Sequence, residues 1–191
     1  MKIDELKTVV VIGAGAMGQQ IAMNTALNGR KHNYKVILCD SFPAALEKAE
    51  KWAGEYLPGR VAKGRITQEE ADQVQGNLSF SQDVEGAAAQ ADLVIEAIIE
   101  DLQAKRDLFQ RISRVAKPDA VLGTNSSNLV SSKLADVTEH PERLLNIHYF
   151  NPALVMQLVE IVRGPHTGEE AIQIAREFAI RTGKSPIIIQ K

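Results

Sequence analysis

Two ionisable residues interrupt one apolar stretch of the sequence, LLNIHYFNPALVMQLVEIV at residues 144–162. His148 ends the first apolar run, and Glu160 lies deep in the second. Buried ionisable groups are costly unless they find partners, so one economical arrangement has each satisfying the other. The carboxylate would accept a hydrogen bond from one imidazole nitrogen, and the other nitrogen could then act as a base. Two separately satisfied core residues would explain the same pattern, and these residues alone leave both interpretations open.

A glycine motif opens the sequence, in VVVIGAGAMGQQIA, as Gly13-x-Gly15-x-x-Gly18. A β-rich run precedes it, a helical pattern follows, and Asp40 ends the next β-rich run. The helix amino terminus would offer free N–H groups to a pyrophosphate, and Asp40 would accept hydrogen bonds from the adenine ribose. Asp40 would also repel a 2′-phosphate, so the motif predicts NAD rather than NADP. A glycine-rich turn beside a surface aspartate is the alternative.

A short polar segment, GTNSSNLVSS at residues 123–132, follows an apolar run. An ordinary loop with a helix cap is the simpler interpretation. The functional interpretation places Asn125 and Ser127 at the carboxyl edge of the sheet, beside a bound nicotinamide.

Short β-rich runs alternate with longer helical patterns along the chain, which predicts an open α/β sheet covered by helices on both sides. The predicted strands are 8–13, 35–40, 92–98, 120–124, 143–150, 155–162 and 185–190. The predicted helices are 16–29, 43–56, 68–75, 101–116 and 168–182. Residues 43–75 form a helical insertion, in which Pro58, Gly59 and Gly64 argue against one continuous helix. The short turn between the strands at 143–150 and 155–162 predicts an antiparallel pair.

The composition is that of an ordinary globular domain. Of the 191 residues, 45% are hydrophobic and 24% are charged, with a formal net charge of −2. This balance argues against a nucleic-acid or anionic membrane partner. Cys39 is the only cysteine, no apolar run resembles a signal peptide or a membrane span, and a cytoplasmic location is expected.

Four segments carry a resemblance to a known family: VIGAGAMGQQIA, ADLVIEAIIEDLQAKRDLF, TNSSNL and HYFNPALVMQLVEIV. In this order they resemble the L-3-hydroxyacyl-CoA dehydrogenase family, including its bacterial 3-hydroxybutyryl-CoA members. The resemblance runs across essentially the whole chain. It implies a Rossmann-like, doubly wound and mostly parallel sheet with a helical hairpin at about 43–75 and an antiparallel edge. It also implies NAD as cofactor, an acyl-CoA substrate from fatty acid metabolism, hydride transfer at C3, and no metal.

The resemblance implies a role for individual residues. His148 matches the catalytic base, Glu160 its orienting carboxylate, and Ser127 a serine that contacts the substrate's 3-oxygen. Lys63 matches a lysine that contacts the CoA phosphates. The implied cofactor-binding residues are Gly13, Ala14, Gly15, Ala16, Met17, Gly18, Asp40, Glu100, Lys105 and Asn125.

The chain departs from the family pattern in side chains and in length. Asn128 stands where the family usually has serine, Tyr149 where it has phenylalanine, and Tyr56 where some members have a CoA-contacting serine. The family continues into an all-helical second domain that supplies the dimer interface and much of the acyl pocket. That domain would begin after residue 191, so residues 1–191 are expected to be a cofactor domain and the full-length protein a homodimer.

Two other functions remain open. A related 3-hydroxyacid dehydrogenase would share the cofactor fold but use a lysine base on a helix, and the HYFNP block argues against it. A non-catalytic NAD-binding module would need no His148–Glu160 pair, although fold alone never proves catalysis.

Overall fold

The computed structural model describes residues 1–190 as one α/β unit. Its strands are β1 Thr8–Ile12, β2 Lys35–Cys39, β3 Leu78–Ser81, β4 Leu93–Glu96, β5 Val121–Thr124, β6 Leu144–Tyr149, β7 Leu158–Arg163 and β8 Ser185–Gln190. Its α-helices are α1 Ala16–Asn28, α2 Pro43–Ala62, α3 Gln68–Asn77, α4 Val84–Gln90, α5 Leu102–Val115 and α6 Glu169–Arg181.

All the strands join one sheet in the order β3-β2-β1-β4-β5-β6-β7-β8. Neighbouring strands are parallel except β6 and β7, which pair antiparallel across the short turn at 150–157. The predicted last strand, β8, forms one edge of the sheet and pairs parallel to β7. The doubly wound, mostly parallel sheet with an antiparallel pair is therefore confirmed. This topology brings the carboxyl ends of β1, β2, β4, β5 and β6 to one edge, where such sheets bind ligands.

The two faces of the sheet build separate cores, because successive strand residues point to opposite sides. On β1, Val9 and Val11 pack toward α1 and α6, whereas Val10 and Ile12 pack toward α4 and α5. These β1 side chains are at most 2% exposed, which explains why the strand reads as a continuous apolar run. Within residues 1–190, no helix has the length and apolar character needed to cross a membrane.

The helical hairpin differs from the sequence prediction in one respect. Pro58 and Gly59 predict a helix end that does not occur, since α2 continues through both to Ala62. Pro58 is exposed, so water can reach the carbonyl of Gly54 that lacks an amide donor. The chain turns instead at Gly64, whose φ of 63° favours glycine.

Strand β3 and helix α4 are absent from the sequence prediction. Strand β3 is a four-residue edge strand, LSFS, with no fully buried residue. Helix α4, VEGAAAQ, is short and has mostly small side chains. Neither segment carries the apolar periodicity from which the other elements were predicted.

Candidate functional site

The glycine loop joins β1 to α1 in a conformation that other residues could not adopt. Gly13 has a φ of 107°, and a Cβ placed there would lie 2.5 Å from the carbonyl oxygen of Ala97. A Cβ on Gly18 would lie 1.7 Å from the carbonyl oxygen of Gly13. A Cβ on Gly15 would meet no atom within 4 Å. Gly13 and Gly18 are thus required by packing, whereas Gly15 keeps the loop backbone open to a ligand.

The amino terminus of α1 faces the same open space. Gly15 is its N-cap, and the first turn contains no acidic side chain. Ala16 is exposed and Met17 is partly exposed, so this first turn is accessible. Free N–H groups and the positive end of the helix dipole suit the pyrophosphate of a dinucleotide.

Asp40 braces the glycine loop from the end of β2. Its Oδ2 accepts a hydrogen bond of 2.8 Å from the Ala14 N–H, and its Oδ1 accepts one of 2.9 Å from the Phe42 N–H. The carboxylate also lines the cleft beside the loop. Asp40 is therefore held in place at the edge of this cleft, and its contact with a cofactor ribose stays a prediction.

Two lobes of one cleft meet at Gly15. One lobe, of about 730 Å³, runs past Asp40 and Phe42 toward α5. The other, of about 630 Å³, runs past the loop after β5 to His148. Gly15 and the 97–99 segment line both lobes. This shape is the one expected for a dinucleotide site, in which the pyrophosphate would lie at Gly15 and one nucleotide in each lobe.

His148 and Glu160 make the contact that the sequence suggested. They lie directly opposite each other in the antiparallel β6–β7 pair, and Nδ1 of His148 is 2.9 Å from Oε2 of Glu160. Their side chains are 17% and 23% exposed. The ring of Phe150 packs against the imidazole at 4.7 Å between centroids. With a carboxylate on Nδ1, the neutral ring carries its proton there and leaves Nε2 as an acceptor. The contact is confirmed, while its catalytic role stays a prediction.

The loop after β5 is held by side chains from β6 and from its own start. Oδ1 of Asn125 accepts a 2.9 Å hydrogen bond from the Tyr149 N–H, which ties the loop to the strand that carries His148. Asn146 donates from Nδ2 to the carbonyls of Ser126 and Leu129, both at 3.1 Å. Sequence reasoning missed Asn146, whose signal was a lone amide in an apolar strand.

Ser127, at the tip of this loop, lines the lobe that contains His148. It is exposed, and its hydroxyl makes no hydrogen bond to the rest of residues 1–190. It is therefore available to a ligand, as the sequence interpretation requires.

A ring of five polar residues, which we call the Lys105 ring, lies at the wall of this lobe, and three of them, Glu100, Lys105 and Ser126, line it. Its members are Glu96, Glu100, Lys105, Thr124 and Ser126. Nζ of Lys105 lies 2.6 Å from Glu96 and 3.4 Å from Glu100. Glu96 also accepts a 2.6 Å hydrogen bond from the Thr124 hydroxyl, and Glu100 accepts one from the Ser126 hydroxyl. The Ser126 N–H closes the ring on the Thr124 oxygen at 3.3 Å.

Burial differs sharply among the charged members of the ring. The side chains of Glu96 and Lys105 are 0% and 1% exposed, whereas that of Glu100 is 40% exposed. Lys105 therefore supports the wall through Glu96, and Glu100 is the most exposed charged member of the ring at the lobe. Burial by itself would raise the pKa of Glu100, but the Ser126 hydroxyl and the Lys105 ammonium outweigh it and lower the pKa. Glu96, Thr124 and Ser126 were missed by sequence reasoning.

Lys63 lies apart from both lobes. It is the C-cap residue that follows α2, and it lines a small groove of about 280 Å³ with Arg60, Tyr56 and Trp52. The rings of Trp52 and Tyr56 stack at 4.9 Å, and Trp52 also lines a second groove that reaches Gly15. The structure thus places Lys63 on the hairpin, connected to the glycine loop by two adjoining grooves.

Comparison with known proteins agrees with this geometry. A family model described as 3-hydroxyacyl-CoA dehydrogenase, NAD binding domain, matches residues 8–191. The chain is 37% identical over 183 residues to the "Probable 3-hydroxybutyryl-CoA dehydrogenase" of Bacillus subtilis, covering 96% of this chain and 62% of that protein. It is 37% identical over 182 residues to the 3-hydroxyadipyl-CoA dehydrogenase of Escherichia coli, covering 95% of this chain and 37% of that protein.

A solved structure gives the same result. The crystal structure of 3-hydroxybutyryl-CoA dehydrogenase from Escherichia coli matches with a TM-score of 0.92 and 36% identity, covering 97% of this chain and 38% of that one. The chain thus spans less than two thirds of the length of each of these relatives. Sequence, topology and the dinucleotide cleft agree that the chain belongs to the NAD-binding domain family of the 3-hydroxyacyl-CoA dehydrogenases.

Proposed function

We propose that this chain is the cofactor domain of an enzyme that interconverts 3-hydroxyacyl-CoA and 3-ketoacyl-CoA with NAD. The observation that carries the proposal is the His148–Glu160 pair, which presents an oriented imidazole to the lobe beside the glycine loop. The relatives described above are named for 3-hydroxybutyryl-CoA and 3-hydroxyadipyl-CoA, which supports a 3-hydroxyacyl thioester of CoA as the substrate.

His148 and Glu160 divide the proton chemistry between them. NAD, when bound, supplies the acceptor for the hydrogen that leaves C3 with its electron pair. Nε2 of His148 accepts the proton of the 3-hydroxyl group, since Nδ1 is engaged by Glu160. Glu160 fixes the ring orientation and stabilises the imidazolium that forms.

Two further side chains position the substrate. The exposed Ser127 hydroxyl donates a hydrogen bond to the 3-oxygen, and Asn125 holds the Ser127 loop against the strand that carries His148. Lys63 supplies a cation for the CoA phosphates on the hairpin, where Arg60 adds a second cation.

The chain by itself should bind NADH, but it should turn over substrate only slowly. Its relatives are longer, and in this proposal their additional segment provides another wall of the substrate cleft. Misplacing reacting groups by about 1 Å can cost on the order of a hundredfold in rate. The partial coverage also favours a second candidate, an NAD-binding domain that performs no reaction by itself.

The test combines a cofactor titration with a steady-state assay. NADH should bind the chain, and acetoacetyl-CoA should oxidise it with a kcat/KM at least about a hundredfold below that of the Bacillus subtilis relative. Free acetoacetate is the control for the CoA contacts, and it should react more slowly still. Absence of NADH binding would refute the cofactor role. Equal kcat/KM values for the chain and the relative would refute the placement of the substrate site.

A further inference from the structure

The Lys105 ring carries more negative than positive charge. It contains two carboxylates, Glu96 and Glu100, and one ammonium group, that of Lys105. Lys105 and Glu96 are nearly or fully buried and lie 2.6 Å apart, so they largely neutralise each other. Glu100 is 3.4 Å from the same ammonium and 40% exposed. The excess negative charge therefore resides on Glu100, at the surface of the lobe that also contains His148.

The proposed reaction moves a positive charge within this lobe. Oxidation of the alcohol breaks its C3–H and O–H bonds. The C3 hydrogen leaves with its electron pair and converts NAD⁺ to NADH, the hydroxyl proton goes to His148, and a C=O bond forms. The positive charge is thus on the nicotinamide before the reaction and on the imidazolium after it. Glu160 lies 2.9 Å from the imidazole and therefore favours the state in which His148 carries the positive charge.

We propose, on the basis of the function proposed above, that Glu100 has the opposite effect to Glu160: it stabilises the oxidised, positively charged cofactor relative to the reduced one. The two carboxylates then favour opposite ends of the charge transfer: Glu100 favours the nicotinamide that is positive before the reaction, and Glu160 favours the imidazolium that is positive after it. Their balance sets the equilibrium between bound NAD⁺ with alcohol and bound NADH with ketone. Removing the charge of Glu100 shifts that equilibrium toward NADH and ketone.

A binding experiment separates this electrostatic role from a structural one. NAD⁺ and NADH are each titrated into the chain and into Glu100→Gln at low ionic strength. The glutamine retains an oxygen acceptor for the Ser126 hydroxyl, so the loop contact can persist. The ratio Kd(NAD⁺)/Kd(NADH) should rise by about three- to tenfold, as expected for a partly screened charge in a protein cleft.

Two control variants accompany the test. Glu100→Asp retains the charge and should keep the ratio near that of the unmodified chain. Glu69→Gln removes a carboxylate from the first turn of α3, which lines neither lobe, and should leave the ratio unchanged. Raising the ionic strength should shrink the difference between Glu100→Gln and the unmodified chain.

The outcomes distinguish a failure of the electrostatic role of Glu100 from a failure of the proposed function. A changed ratio in Glu100→Gln with an unchanged ratio in both controls supports the proposal. If both Kd values change by the same factor, Glu100 only shapes the site and the proposal is wrong. If the unmodified chain binds neither cofactor, the proposed function itself is overturned and this inference with it.

Discussion

Replacing Lys105 by methionine should destabilise the chain through the buried carboxylate that it leaves behind. Methionine preserves most of the side-chain length, so packing changes little while the ammonium is lost. Glu96, which is 0% exposed, would keep only the Ile98 N–H at 2.7 Å and the Thr124 hydroxyl at 2.6 Å. Breaking a buried ion pair by removing one partner costs about 3–5 kcal/mol. The two remaining donors place the expected loss near the lower end, about 3 kcal/mol.

Urea unfolding measures this loss directly. A decrease of about 3 kcal/mol corresponds to a midpoint lowered by about 1 M or more, given typical denaturant dependences. The control is the double variant Glu96→Gln/Lys105→Met, which removes the unpaired charge, keeps an oxygen for the Ile98 N–H and offers an amide N–H to the Thr124 hydroxyl oxygen. It should recover most of the lost stability. If Lys105→Met alone unfolds at the same urea concentration as the unmodified chain, the Lys105–Glu96 pair does not hold this wall as described.

Three further predictions concern other carboxylates of the chain, those of Asp40, Glu160 and Asp92. The chain should bind NADH more tightly than NADPH, because the Asp40 carboxylate would repel the 2′-phosphate of NADPH. Titration with both cofactors measures this, and equal or tighter NADPH binding would refute it. In a form of the protein that turns over 3-hydroxyacyl-CoA, Glu160→Gln should leave NADH binding near normal. It should lower kcat by about two to four orders of magnitude, because His148 loses the carboxylate that orients it and stabilises its charge. Burial opposes ionisation of Asp92, but Lys117 and the N–H groups of Lys7 and Thr8 outweigh it and lower its pKa. A carboxylate whose pKa is lower in the folded than in the unfolded chain stabilises the fold above its unfolded-state pKa, and this contribution is lost as the pH falls through the folded-state pKa. The free energy of unfolding of Asp92→Asn should therefore fall less on acidification than that of the unmodified chain.

Much of the fold could be predicted because its strongest signals are local. Apolar runs buried on both faces mark β1 and β4, and the glycine spacing marks the turn into α1. The short turn before β7 was enough to predict its antiparallel pairing with β6. The error at Pro58 has a physical cause: proline is tolerated where the missing hydrogen bond faces solvent, and exposure is not visible in a sequence.

The candidate site was only partly predictable, because its supporting residues act across strands. His148 and Glu160 stand out as ionisable residues in apolar runs, and their sequence separation fits a strand pair. Glu96 gives the same local signal in DLVIEAI, yet its partner Lys105 is on a helix whose docking no pattern specifies. Asn146 is similar, since its contacts lie on a loop that only the folded sheet brings alongside.

The most direct test of the central claim is single-turnover oxidation of bound NADH by acetoacetyl-CoA, in the chain and in His148→Ala. With enzyme in excess, even slow turnover can be measured, and NADH affinity is determined in the same samples. The pair assignment predicts unchanged NADH affinity and a rate at least about a hundredfold lower in His148→Ala. The same rate in both proteins, at equal NADH occupancy, would contradict the assignment of His148 as the group that exchanges the substrate's proton.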